Sequence, residues 1–158
     1  MANVNIKFNG KDYLLSCDDG QEENLKELAS HCLESVDPLF AGSVKSNDFI
    51  VAGRNFGLGS SREQAALVLN YLGLAAVVAL SFGGIFYRNA FNCGLPAITC
   101  SSVEEIETGH RLEVNLESGT IVNLDTAKKM NGEPIPSHLL GLIDVGGLIP
   151  HLEKTLNN

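Results

Sequence analysis

The amino-acid sequence predicts an α/β fold with a mixed, partly parallel sheet flanked by helices, and three observations carry that prediction. Short apolar runs over 48–52, 75–80 and 95–100 alternate with helical patterns over 60–72 and 81–92; strand–helix–strand–helix–strand order pairs neighbouring strands in parallel. Gly73 and Gly94 close the two helical stretches, where a left-handed residue commonly ends a helix. Beyond residue 110 the pattern changes: residues 111–116 and 120–124 flank Glu117-Ser118-Gly119 and read as a hairpin.

Each element has its own signal. Val4-Asn5-Ile6-Lys7-Phe8 alternates apolar and polar residues, Asn9-Gly10 follows, and 11–15 resumes the run, a short-range hairpin signature. Residues 22–34 place Leu25, Leu28, Ala29, Cys32 and Leu33 on one helical face, with Asp37-Pro38 as a break. The run 48–52 is a buried strand that ends at Gly53. The turn Asn55-Phe56-Gly57-Leu58-Gly59 then leads into Ser60-Ser61-Arg62-Glu63. Ser60 with Glu63 three residues on is a capping-box pattern, which predicts Ser60 at the N-cap of a helix reaching Leu72. A second helix is expected from Ser81 to Asn92 or Cys93, with Phe82, Ile85, Phe86 and Ala90 at core spacing. Pro134 and Pro136 precede a helix over 137–145, Gly146-Gly147 breaks it, and a last helix carries Leu148, Leu152 and Leu156. No repeat, linker or low-complexity tract interrupts the chain, and one domain over 1–158 is the expectation.

Composition narrows the function. A hydrophobic fraction of 44% with 19% charged residues suits a packed soluble domain. The net charge of −8 argues against nucleic acid, which needs a basic footprint. It leaves room for a small anionic substrate in a locally positive pocket. No apolar run approaches the ~18–20 residues that span a bilayer, so no membrane association is expected. The first residues carry neither a basic region nor an apolar signal core, which predicts a cytoplasmic protein. Cys17, Cys32, Cys93 and Cys100 form no CxxC pair and have no histidine at ligand spacing; they read as buried apolar residues, so no metal is expected in this chain. His31, His110, His138 and His151 show no partner pattern.

The chemistry concentrates between Gly53 and Glu63. A glycine-rich turn lets backbone approach a ligand, and the helix start beyond it favours an anion. Ser60, Ser61 and Arg62 bring two hydroxyls and a guanidinium to that point; arginine pairs bidentately with carboxylates. From the residues alone, three readings stand: a plain helix cap with a solvated arginine, a phosphate cradle, or a carboxylate site. The cradle is the weakest, because the loop lacks the Gly-Lys-Ser/Thr end of a P-loop and the spacing of a dinucleotide fingerprint.

The segment Val51-Ala52-Gly53-Arg54-Asn55-Phe56-Gly57-Leu58-Gly59-Ser60-Ser61-Arg62-Glu63-Gln64-Ala65 resembles the signature of the small subunits of 3-isopropylmalate dehydratase and homoaconitase. The swivel domain of aconitase has a related segment. A second block, Ser81-Phe82-Gly83-Gly84-Ile85-Phe86-Tyr87-Arg88-Asn89-Ala90-Phe91-Asn92-Cys93-Gly94-Leu95-Pro96, matches the same family, and Leu33-Glu34-Ser35-Val36-Asp37-Pro38-Leu39-Phe40-Ala41 matches it more weakly. The resemblance implies a single swivelling β/β/α domain like the fourth domain of aconitase. It implies a heteromeric hydro-lyase, inactive without a large subunit that holds a [4Fe–4S] cluster, with no cofactor in this chain. By the same resemblance Ser60 is the alkoxide base, Ser61 and Arg62 contact substrate carboxylates, and the substrate is a small di- or tricarboxylate. The second block reads as structural support for the first.

Two departures bear on substrate choice. Tyr13-Leu14-Leu15-Ser16 resembles the family's specificity loop, but the aspartates, threonine and proline that usually precede it are missing. In relatives, arginine at the position of Leu15 goes with an additional carboxylate, whereas an apolar residue goes with an alkyl substituent; burying an unpaired carboxylate against leucine is costly. Leu15 therefore points to an alkyl malate, isopropylmalate or a methyl- or dimethylmalate, and the leading reading is isomerisation of 2- to 3-isopropylmalate in leucine synthesis. Homoaconitate, a methyl- or dimethylmalate, or a non-catalytic regulatory role are the alternatives. Leu58 and Gly84 stand where relatives often carry Cys and a charged residue.

Overall fold

Residues 48–52 bury Phe49 completely and Ile50 nearly so, and the strand they form anchors the first of two sheets. In a computed structural model that describes residues 2–3, 19–59 and 62–156, β1 (Ala2–Asn3) runs antiparallel to β2 (Asp48–Ala52). β2 pairs in parallel with β3 (Ala76–Ala79), and β3 with β4 (Ala97–Thr99). All four residues of β3 are buried, as a parallel strand covered on both faces requires. The second sheet is antiparallel: β5 (Leu112–Asn115), β6 (Thr120–Asn123) and β7 (Lys129–Asn131). Its burial alternates along β5 and β6, so one face meets the core and the other meets water.

The helices are α1 (Asp19–Ser30), α2 (Phe40–Ser43), α3 (Gln64–Tyr71), α4 (Gly84–Asn92), α5 (Ser137–Val145) and α6 (Leu148–Leu156), with a 3-10 turn at Val103–Glu105. α1 packs on α3, α3 on α4, and α4 on both α5 and α6. The α4–α5 approach depends on Gly147, whose φ is +123° and where a Cβ would lie 2.5 Å from the Asn92 carbonyl oxygen. One apolar cluster runs from Leu25 and Ala29 of α1 through all three parallel strands to Leu112, Ile121 and Met130 of the second sheet. The sheets are also stitched together by backbone: Cys100 and Gly132 form a bridge, and the N–H of Glu133 donates to the Thr99 carbonyl at 2.8 Å.

The α/β class, the three parallel strands, the 111–124 hairpin and the last two helices match the sequence reading. Several boundaries differ. α3 starts at Gln64 with Glu63, not Ser60, at the N-cap, and no side chain caps it. Glu63 is already in the right-handed region, and the N–H groups of Ala65 and Ala66 are taken by the carbonyls of Arg62 and Glu63, so the first turn closes on itself. α4 starts at Gly84 rather than Ser81, because Phe82 is held in a bridge with Phe56. α1 stops at Ser30, four residues before its periodicity ends, where Leu33 turns left-handed with φ +55°. The hairpin expected over 4–15 lies outside the described residues.

Two histidines that lacked a sequence pattern do have partners. Asn123, fully buried, accepts the N–H groups of Asp125 and Thr126 on Oδ1 and donates from Nδ2 to His110 Nδ1 at 2.9 Å. The Glu107 N–H donates to the same ring nitrogen at 3.0 Å. His31 Nδ1 lies 2.6 Å from Glu34 Oε2. Pairing of this kind joins residues 13 positions apart in the His110 case, which no local pattern reveals.

Candidate functional site

β2 and β3 are parallel neighbours, so the loops that leave their carboxyl ends emerge at one edge of the sheet, where open α/β sheets bind ligands. These loops are the two strongest sequence blocks, and they are tied together. The Asn55 N–H donates to Ser81 Oγ at 2.8 Å, the Phe56 N–H to the Ser81 carbonyl at 2.9 Å, and the Gly83 N–H to the Phe56 carbonyl at 2.8 Å. Ser81 thus serves as a latch between loops rather than as a helix start. Phe56 meets Phe86 edge-on at 5.1 Å, and Phe82 stacks on Phe86 at 6.1 Å. Gly57 has φ +76°, and a Cβ there would sit 2.3 Å from Phe86 Cγ. Only glycine permits both the turn and the close approach.

A groove of about 740 Å³ opens beside this edge. Its lining comes from two stretches of chain: Gly57, Gly59, Arg62 and Gln64 from the loop and the start of α3, and Leu28, His31, Leu33 and Ser35 from the last turn of α1 and the chain just beyond. Buried Val68, Leu69 and Phe86 close its base. Arg62 is exposed. His31 is held protonated more readily than a free histidine, first by its hydrogen bond to Glu34, then by that carboxylate's charge. The groove therefore combines a guanidinium, a histidine paired with Glu34, polar amide and hydroxyl groups, and an apolar wall.

Of the residues singled out from sequence, Arg62 is in the groove. Ser60, Ser61 and Leu15 lie outside the described residues; Gly59 and Arg62, which bracket the serine pair in the chain, both line it. His31 and Leu33, from the other stretch of lining, were missed as site residues. Leu33 opens the third matching block, and nothing in a single sequence marks a leucine as left-handed.

A family model for the aconitase C-terminal domain matches residues 13–102. The chain belongs to the aconitase C-terminal domain family. Among members, it is 49% identical over 131 residues to a 3-isopropylmalate dehydratase small subunit of Thermotoga maritima, covering 83% of this chain and 79% of that protein. It is 46% identical over 132 residues to an isopropylmalate/citramalate isomerase small subunit of Methanocaldococcus jannaschii, covering 83% and 79%. The crystal structure of a 3-isopropylmalate dehydratase from Methanocaldococcus jannaschii superposes with a TM-score of 0.80 at 37% identity, over 99% of this chain and 93% of that one.

An iron–sulfur cluster needs several cysteine thiolates or comparable ligands brought together. Among the described residues no group of three or more His, Cys, Asp or Glu could hold a metal ion. Burial pushes the Cys32 thiol up to about 11 and the Cys93 thiol up to about 12, whereas cluster ligands are thiolates. These cysteines do not fit such a group. Nor is any helix among the described residues long and apolar enough to cross a membrane.

Proposed function

We propose that this chain is the small subunit of a 3-isopropylmalate dehydratase, a swivelling domain that works in the cytoplasm over a large iron–sulfur subunit. The observation that carries the reading is the groove at the carboxyl ends of β2 and β3, with Arg62 on its wall and the Ser60–Ser61 pair next to it in the chain. The names of the relatives, small subunits, support a large-subunit partner, and one of them, an isopropylmalate/citramalate isomerase small subunit, supports an acid with a short alkyl branch. The reaction removes a proton beside one carboxylate, releases a hydroxyl to leave an alkene, and returns water in the opposite sense.

In this reading Ser60 takes the proton. A serine hydroxyl is too weak an acid to serve as a base in water, so its surroundings must favour the anion. Arg62 two residues on supplies positive charge, and the start of α3 adds the positive end of its peptide dipoles. Because the first turn of α3 consumes the N–H groups of Ala65 and Ala66 internally, the guanidinium carries more of this burden than a helix capped at Ser60 would have required. Exclusion of water when the large subunit covers the groove strengthens both effects. Ser61 and Arg62 hold substrate carboxylate, and Leu15 favours an alkyl group over a third carboxylate. Lewis acidity toward the departing hydroxyl comes from the [4Fe–4S] cluster of the large subunit.

The test is anaerobic co-expression with the large subunit and measurement of alkene formation from alkylmalates and homocitrate. 2-Isopropylmalate is expected to be the best of the panel. Ser60→Ala is expected to lower turnover by about 10²–10⁴-fold, the range a positioned general base supplies, while co-purification with the large subunit is unchanged. Near-normal turnover in that variant refutes the base role.

A further inference from the structure

We propose, resting on the functional reading above, that Leu33 is a specificity-determining residue: its side chain forms the groove wall on which the substrate's alkyl branch packs. Two independent observations meet at this residue. Leu33 lines the same groove as Gly59 and Arg62, and its backbone is left-handed at φ +55°. The other described non-glycine residues with positive φ are Asn47, Asn55 and Ala127; Asn tolerates that region and Ala is small, whereas a bulky side chain there is uncommon.

Leu33 lies in the turn that follows α1, three residues beyond Ser30. The Leu33 carbonyl accepts the N–H groups of Val36 at 2.8 Å and Asp37 at 2.9 Å. Glycine would make the same two bonds without strain. What leucine alone adds is a side chain, partly buried against the core edge and open to the groove. A conformation held against its own preference by surrounding structure is the pattern seen at functional sites. The chemistry fits: a malate-type acid has charged groups for Arg62 and a single apolar branch, and Leu28 continues the same apolar wall one turn earlier on α1.

The experiment compares kcat/KM for 2-isopropylmalate and for citramalate, its methyl-branched analogue, in the holoenzyme assembled with the large subunit. Leu33→Gly and Leu33→Asn are the variants, since both residues accept left-handed backbone. Both substrates are measured on one preparation, so the folded fraction cancels from the ratio. The isopropyl-to-methyl ratio is expected to fall about tenfold in both variants, mainly through KM for the isopropyl acid, the low end of what a lost apolar contact does to discrimination. A ratio within about twofold of wild type overturns the assignment and leaves Leu33 as filling at a helix end. A wild-type holoenzyme that dehydrates neither acid overturns the functional reading, and this inference with it.

Discussion

The loop over 53–59 and the open end of the β5–β6 hairpin are both irregular, yet they are built on opposite plans. At the hairpin end polar groups answer one another: Asn123 serves Asp125, Thr126 and His110, and Arg111 grips Asp125 through Nε at 3.1 Å, Nη2 at 2.9 Å and its backbone N–H at 2.6 Å. The backbone and side-chain bonds from Arg111 hold the Asp125 carboxyl below the usual carboxylate range. Leu112 and Ile121 beside them are fully buried. In the loop, Arg54 is exposed, Leu58 is 69% exposed, and Asn55 and Gly57 are left-handed. The hairpin end pairs its polar groups locally around one left-handed turn residue, Ala127; the loop breaks local rules more widely and is held by a second loop. Proteins tend to break such rules where they bind and react, which marks one region as scaffold and the other as site.

The contrast predicts different failures. Leu112→Ala, at a side chain with no exposure, is expected to cost about 2–5 kcal/mol of stability, read by chemical denaturation, while folded holoenzyme keeps its KM. A changed KM would mean that the two regions are not separable. Gly57→Ala should cost somewhat less stability, about 1–3 kcal/mol for overpacking against Phe86, but it should also impair turnover, because relief requires either the loop or the Phe86 ring to move. Wild-type turnover in that variant would show that the loop's shape is immaterial to the chemistry.

Legibility in the sequence followed the same division. Strands β2 to β4 could be read because their burial is continuous and their ends carry glycine, and β5 and β6 because their pattern alternates. β7, with only Met130 buried between Lys129 and Asn131, carries too short a signal to be seen. In the proposed site, Arg62 and its neighbours stand out in the sequence by residue type, and the structure places Arg62 in the groove. The other stretch of the groove's lining was not legible, since His31 and Leu33 read as ordinary positions on an amphipathic helix. The capping-box spacing at Ser60 predicts an earlier helix start than the structure has: α3 begins at Gln64, with Glu63 at its N-cap. Local pattern cannot register bonds made by a loop to a partner 26 residues away, such as Asn55 to Ser81.

Ser81→Ala sharpens the claim that the second loop holds the first. It removes the acceptor for the Asn55 N–H, a change worth about 1 kcal/mol, and the effect should appear in the loop before the whole protein. Amide exchange at Asn55 and Phe56 is expected to quicken with little change at Leu112 or Ile121. Uniform quickening would mean that the loops share one cooperative unit with the hairpin sheet.

The smallest expected effect concerns His31 on the groove wall. Its hydrogen bond to Glu34, and then that residue's charge, raise its pKa above the ordinary value near ~6.5. A raised folded-state pKa stabilises the fold fully below the unfolded value, and the contribution fades as pH climbs through the folded value. The pair is largely exposed, with side chains 63% and 59% accessible, so solvent screens it and the stability change is small. The ring titration followed by NMR is the better readout. Its midpoint is expected above ~6.5 in the wild type and lower in Glu34→Gln. Any difference in unfolding temperature between the two should be present near pH ~5.5 and absent near pH ~9. An unshifted midpoint in wild type would separate His31 from Glu34 and remove this histidine from the charged groups that the groove can offer an anion.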